Sequence, residues 1–73
     1  MYKANIRSNF SGTTIQKNNT KLKSPEETVS WLNDNLGFAA PIDTKNENRI
    51  LTMEPNSKIG FKVAGIQITI TRK

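Results

Sequence analysis

The segment 59-IGFKVAGIQITI-70 is the most informative part of the sequence, because its apolar residues change parity halfway along. They occupy odd positions before Ala64 and even positions after Gly65. One straight strand would place the two sets on opposite faces. A tight turn at Ala64-Gly65 instead gathers them on one face, and the predicted pairs are Val63 with Ile66, Phe61 with Ile68, and Ile59 with Ile70. A β-bulge at the same place is the alternative, since it also reverses the parity.

The preceding segment, 49-RILTME-54, predicts another strand, because it is rich in apolar residues and ends at the turn formers 55-PNS-57. With a three-residue loop, the predicted apolar pairs are Met53 with Ile59 and Leu51 with Phe61. The last third of the chain is therefore predicted to be a three-stranded meander.

A helix is predicted over Pro25 to about Leu36. It opens at 24-SPEE-27, where Ser24 suits the N-cap and Glu27 completes a capping box. At the other end, Gly37 suits the C-terminal cap, and Phe38 is positioned to fold back onto the helix. The apolar stripe of the helix is Val29, Leu32 and Leu36.

The N-terminal segment alternates apolar and polar residues, which indicates a strand with one buried face. A turn at Gly12-Thr13 would place Ile15 opposite Phe10, and a second strand would run from Thr14 to about Lys17. Asn18-Asn19 is expected to interrupt that strand, and 39–48 is expected to be a polar loop. The apolar positions of the first strand are Tyr2, Ala4, Ile6 and Phe10.

Together these segments predict one small α+β domain spanning residues 1–73. An antiparallel sheet of four to five strands would carry one helix on one face, in the order β-β-α-β-β-β. A chain of this length buries a thin core. A homodimer stays open as an alternative, because a second copy would enlarge the core.

The composition argues against an enzyme. The chain has no cysteine and no histidine, which removes disulfides, thiolate ligands, the commonest zinc ligand and the commonest general base. The remaining carboxylates outside the helix start show no ligand spacing; they are Asp34, Asp43, Glu47 and Glu54. We expect no catalytic residue, no cofactor and no metal.

The sequence contains no apolar run of 18 residues, and residues 1–7 lack the apolar stretch of a signal peptide. We therefore expect a cytoplasmic protein without a membrane partner. Nine asparagines, eight lysines and eight isoleucines suggest an AT-rich coding sequence, as in phages or mobile elements of low-GC bacteria.

The net charge of +5 is unevenly distributed. Residues 1–23 carry +5, residues 24–56 carry −4, and residues 57–73 carry +4. If the apolar strand faces meet the helix, a polar and basic face is left on the other side of the sheet, suited to phosphate backbones. The alternative is an ordinary solvated face with lysines that discourage strand aggregation. The candidate nucleic-acid-binding residues are Lys3, Arg7, Lys58, Lys62, Thr69 and Thr71.

Trp31 lies off the apolar stripe of the helix. Either the loop that contains Phe38, Pro41 and Ile42 covers it, or it is exposed beside Asn35 as an anchor for a protein partner. The sequence thus leaves two functions open. The first is a protein-binding inhibitor or adaptor of phage or mobile-element type that docks on a host protein through Trp31 and Asn35. The alternative is a nucleic-acid-binding accessory protein that uses the basic sheet face.

Overall fold

A computed structural model of the chain describes residues 1–10, 12–36 and 42–73. This part of the chain forms one antiparallel sheet in the order β2-β1-β4-β3, with two helices against one face. The prediction of an α+β domain with an antiparallel sheet is confirmed. Within the described ranges, neither helix is long and apolar enough to cross a membrane. The elements are β1 (Tyr2–Phe10), β2 (Thr13–Leu22), α1 (Pro25–Leu36), α2 (Thr44–Leu51), β3 (Ser57–Val63) and β4 (Ile66–Arg72).

Helix α1 has the bounds that the sequence predicts. The Ser24 hydroxyl accepts a hydrogen bond from the Glu27 amide at 3.0 Å, and the Glu27 carboxylate accepts one from the Lys23 amide at 3.0 Å. The predicted roles of Gly37 and Phe38 at the helix end lie outside the described residues. The predicted stripe of Val29, Leu32 and Leu36 is buried against the sheet.

The β3–β4 hairpin confirms the interpretation of the parity change. Its register runs without a shift, and it contains the three predicted pairs, Val63–Ile66, Phe61–Ile68 and Ile59–Ile70. Ala64 and Gly65 have φ values of 50° and 80°, as a type I′ turn requires. The twist of such a turn matches that of the strands, so no bulge is needed.

The prediction of a strand at 49–54 is wrong, and so is the prediction of a loop from Thr44 to Asn48. These residues belong largely to α2, which makes two helices where one was expected. The Asp43 carboxylate caps the helix by accepting from the Asn46 amide at 2.8 Å. Ile50 and Met53, three residues apart, turn to the same side and are buried, whereas Leu51 is 37% exposed. The Met53 amide donates to the Ile50 carbonyl at 3.3 Å, and this turn at the end of α2 buries two residues that strand alternation would place on opposite faces.

The β1–β2 hairpin differs from the prediction in register. Phe10 pairs with Thr13, and Ile15 lies opposite Ser8 rather than Phe10. Gly12, which directly precedes β2, has a φ of 79°. The observed partner of Phe10 lies two residues before the predicted one. Because side chains alternate with a period of two, each residue of the hairpin still lies on the predicted face of the sheet.

Strand β2 continues through Asn18-Asn19 to Leu22 instead of ending near Lys17. Asn19 lies opposite Ala4 and Leu22 opposite Tyr2, so β2 carries one extra residue there. The Asn19 carboxamide oxygen accepts from the Lys21 amide at 2.9 Å within this bulge. The bulge reverses the parity of β2 and so brings Leu22 into the core.

Candidate nucleic-acid interface

The sheet has one face covered by the helices and one open face. Tyr2, Ala4 and Ile6 of β1 are buried on the covered face together with Ile68 and Ile70 of β4. Strand alternation therefore turns the intervening residues to the other side. We define the open face by its residues on β1, β4 and β3: Lys3, Asn5, Arg7, Lys58, Gly60, Lys62, Gln67, Thr69 and Thr71.

The register arranges the open face in three rows that cross β1, β4 and β3. In the first row Lys3 and Lys58 flank Thr71, and in the third Arg7 and Lys62 flank Gln67; the middle row is Asn5, Thr69 and Gly60. Strand spacing puts the backbones of the two cations in a row about 10 Å apart, and the two cationic rows lie about 13 Å apart along the strands. Four cations thus mark the corners of a rectangle with neutral polar groups between them.

The first and middle rows border a shallow depression of about 480 Å³. Lys3 and Lys58 line it together with Ala4 and five neutral polar residues. Hydroxyl and amide groups can donate hydrogen bonds to an anion that the lysines attract. The neutral polar residues that line it are Asn5, Asn18, Thr20, Thr69 and Thr71.

The third row is organised differently, because Gln67 is engaged with the sheet itself. Its Nε2 lies 3.4 Å from the Phe61 carbonyl and 3.3 Å from the Ile68 carbonyl, and donates to both. A Cβ on Gly60 would lie 3.5 Å from that nitrogen, an ordinary contact. The side-chain amide of Gln67 is therefore occupied by hydrogen bonds to the sheet backbone, whereas Arg7 and Lys62 beside it are exposed.

The acidic side chains are unevenly distributed between the strands and the rest of the chain. None of the four strands contains an acidic residue. The six carboxylates lie on the helices, at the α2 cap or just after α2. The open face therefore presents positive charge that no carboxylate on its own strands neutralises. The acidic residues are Glu26, Glu27, Asp34, Asp43, Glu47 and Glu54.

Lys3 has a second ammonium close by. A hydrogen bond with the Lys73 side chain lowers the pKa of Lys3, and repulsion by the Lys73 charge and partial burial lower it further. The Lys73 amide donates to the Met1 carbonyl at 2.9 Å, which continues the β1–β4 pairing by one more step. Lys73 thereby joins the open face at the end marked by Lys3 and Thr71.

The structure brings all six candidate nucleic-acid-binding residues onto the open face. Lys3, Lys58, Thr69 and Thr71 border the depression, whereas Arg7 and Lys62 lie in the third row. Sequence reasoning missed Asn18, Thr20 and Lys73. Asn18 and Thr20 were not predicted because the predicted second strand ended near Lys17, before both residues. Lys73 shares the parity of Thr69 and Thr71, and that signal was sufficient to find it.

Trp31 and Asn35, the candidate protein-binding residues, lie on α1, away from the open face. Trp31 is half-buried and packs against the hydrophobic core. The Asn35 side-chain amide donates to the Trp31 carbonyl at 2.8 Å, so it is engaged within the helix. Ile42, one of the residues expected to cover Trp31, is buried; Phe38 and Pro41 lie outside the described residues.

No group of three or more potential metal ligands occurs among the described residues. Asp43, one of the four carboxylates considered from the sequence, is the N-cap of α2. The chain matches no known protein-family model, no curated protein and no solved structure.

Proposed function

We propose that this chain is a non-enzymatic binding module whose open face holds the phosphate backbone of a nucleic acid. The observation that carries the proposal is the rectangle formed by Lys3, Lys58, Arg7 and Lys62 on strands without acids. Lysine and arginine neutralise phosphates, and this term supplies most sequence-independent affinity for nucleic acids. The hydroxyl and amide groups between the cations supply hydrogen-bond donors for phosphate oxygens.

The salt dependence of binding tests this proposal. Each phosphate neutralised on a DNA duplex contributes about −0.9 to the slope of log affinity against log salt, so four contacts predict a slope of about −3.6. We would titrate the protein into fluorescently labelled duplex DNA and duplex RNA at several salt concentrations and follow anisotropy. A slope near zero for both nucleic acids would contradict the proposal.

A matched pair of variants separates the open face from the overall charge. Lys62→Gln removes one cation from the open face, and we expect the duplex DNA slope to become shallower by about 0.9. Lys45→Gln removes the same charge from exposed α2, and we expect only a small change. Equal effects of the two variants would mean that binding follows net charge and not the open face.

Protein docking through α1 is the second candidate, because Trp31 packs on the core and still keeps part of its surface exposed. A tryptophan held in this way loses little freedom on binding and can anchor a partner. In that case the chain is an inhibitor or adaptor of a host protein. A partner recovered with the wild-type protein should then be lost with Trp31→Ala and kept with Lys62→Gln. Equal retention by both variants would remove Trp31 as the anchor.

A further inference from the structure

We propose that the end of the open face around Thr71 is a specific site for a phosphate group, formed by Lys3, Lys58 and Lys73. The proposal deepens the proposed function, on which it rests for the source of the phosphate. It divides the open face into a specific end and a general end, the latter formed by Arg7 and Lys62.

The first argument is the convergence of three lysines on one hydroxyl-bearing residue. Lys3 on β1 and Lys58 on β3 are the direct register partners of Thr71 from its two sides. Lys73 directly follows β4 and continues its pairing with β1 through the Met1 carbonyl, so alternation places it on the same face as Thr71. The Lys73 amide donates to the Met1 carbonyl at 2.9 Å, and the Met1 ammonium donates to the Lys73 carbonyl at 3.3 Å, which holds this end of the chain against β1.

The second argument is that the strands that carry the cluster hold no acidic side chain. No strand carries an acid, and the Lys73 ammonium lies close enough to Lys3 to lower the pKa of Lys3. Like charges at short distance disfavour their shared protonated state. An anion bound between the Lys3 and Lys73 ammonium groups would offset their repulsion. A phosphate would therefore stabilise this pair of charges.

The third argument is the shape and chemistry of the surface between the lysines. Lys3 and Lys58 line the depression together with the amide of Asn5 and the hydroxyls of Thr69 and Thr71. Phosphate oxygens accept hydrogen bonds from such groups, and charge-assisted bonds to lysine are the stronger ones.

The opposite end of the open face lacks these features. Arg7 and Lys62 flank Gln67, whose side-chain amide donates to two backbone carbonyls of the sheet. The third row therefore offers two cations without a free neutral donor between them. Lys62 is therefore a matched control for Lys58, because both lie on the same face of β3, four residues apart.

The experiment compares Lys58→Gln with Lys62→Gln in two titrations of the full chain. The first uses inorganic phosphate against matched chloride, followed by the backbone amide NMR shifts of Thr69, Thr71 and Lys73. The second uses labelled duplex DNA and RNA. We expect phosphate to shift these amides in the wild type and in Lys62→Gln but not in Lys58→Gln. We also expect Lys58→Gln to weaken duplex binding about tenfold more than Lys62→Gln does.

The outcomes separate this site from the proposed function. Nucleic-acid binding that both variants weaken equally would overturn the specific site and leave the proposed function standing. Phosphate shifts that Lys58→Gln abolishes, without binding of DNA or RNA, would support the site with free phosphate as its ligand and overturn the proposed function. Absence of phosphate shifts together with absence of nucleic-acid binding would overturn both.

Discussion

The guanidinium of Arg72 lies over the ring of Tyr2, 5.5 Å from its centroid, and also donates a hydrogen bond to the Met53 carbonyl. Tyr2 and Arg72 are register partners on β1 and β4, and Met53 follows α2. One side chain therefore joins the central strand pair to the connection that leads from α2 into β3. Its planar geometry serves both contacts at once.

We expect Arg72→Lys to lower the free energy of unfolding by about 1–2 kcal/mol, because the ammonium cannot reproduce the stacking and the directed hydrogen bond together. Urea denaturation followed by Trp31 fluorescence measures the change. The control is Lys62→Gln, which alters an exposed cation and should remain within about 0.5 kcal/mol of wild type. Equal midpoints for Arg72→Lys and wild type would show that charge alone matters at this position.

The β3–β4 turn predicts a stabilising substitution. Ala64 has φ 50°, a left-handed conformation that costs an L-residue roughly 1 kcal/mol and that asparagine tolerates better. Ala64→Asn should therefore raise the free energy of unfolding by about 0.5–1 kcal/mol. Thermal and urea denaturation would measure it.

Gly65→Ala is the opposite test of the same turn. Among the described atoms, none lies within 4 Å of the position that the new Cβ would take, so the cost is purely a backbone cost at φ 80°. We expect a loss of about 1 kcal/mol. If both substitutions shifted stability in the same direction, the type I′ geometry would be wrong.

Helix α2 can be checked with two neighbouring residues. Ile50 has no exposed surface and Leu51 is 37% exposed, so Ile50→Ala should cost about 2–4 kcal/mol and Leu51→Ala less than about 1 kcal/mol. The strand predicted from the sequence would bury Leu51 and turn Ile50 outward, which reverses the order. Chemical denaturation of the two variants, with unchanged circular dichroism as the check on folding, decides between them.

The contact between Lys3 and Lys73 predicts a titration shift. Lys73→Gln removes the neighbouring ammonium, so the pKa of Lys3 should rise toward its ordinary value. Because a lowered pKa means that the folded chain binds fewer protons than the unfolded one, the wild-type stability should increase as pH rises from the folded pKa to the unfolded pKa. NMR titration of the lysine side-chain signals measures the first effect. An unchanged Lys3 titration in the variant would exclude the contact.

The described open face carries no aromatic ring, which predicts a preference among nucleic acids. Single-strand binders gain about 1–3 kcal/mol per base stacked on an aromatic side chain, and this face offers no such gain. Duplexes should therefore bind more tightly than single strands of equal length. Thr69→Tyr, at the centre of the face, should selectively strengthen single-strand binding; tighter binding of single strands by the wild type would contradict this account.

Local signals predicted the parts of the fold that depend on neighbouring residues. Ser24 and the stripe at Val29, Leu32 and Leu36 sufficed for α1, and the parity change at Ala64-Gly65 sufficed for the last hairpin. The segment 49–54 misled because Ile50-Leu51-Thr52 has strand propensity. The cap at Asp43 and the spacing of Ile50 to Met53 prevail in the folded protein.

The site was predictable only in part. Alternation sufficed to place Lys3, Arg7, Lys58 and Lys62 on one face. Their arrangement in rows depends on β4 lying between β1 and β3, and strand order is set by tertiary packing that no local pattern encodes. The depression beside Thr71 depends in addition on the length of β2, because Asn18 and Thr20 of that strand also line it.

The pairing of β1 with β4 has a consequence for how the protein is made. One edge of β1 pairs with β4, which begins only at Ile66. The four-stranded sheet therefore cannot form before the ribosome has translated β4. Bringing β1 and β4 together costs the entropy of closing the long chain segment between them, and this cost slows folding. A nascent chain that stops before β4 would therefore leave the edge of β1 unpaired, and unpaired strand edges favour aggregation.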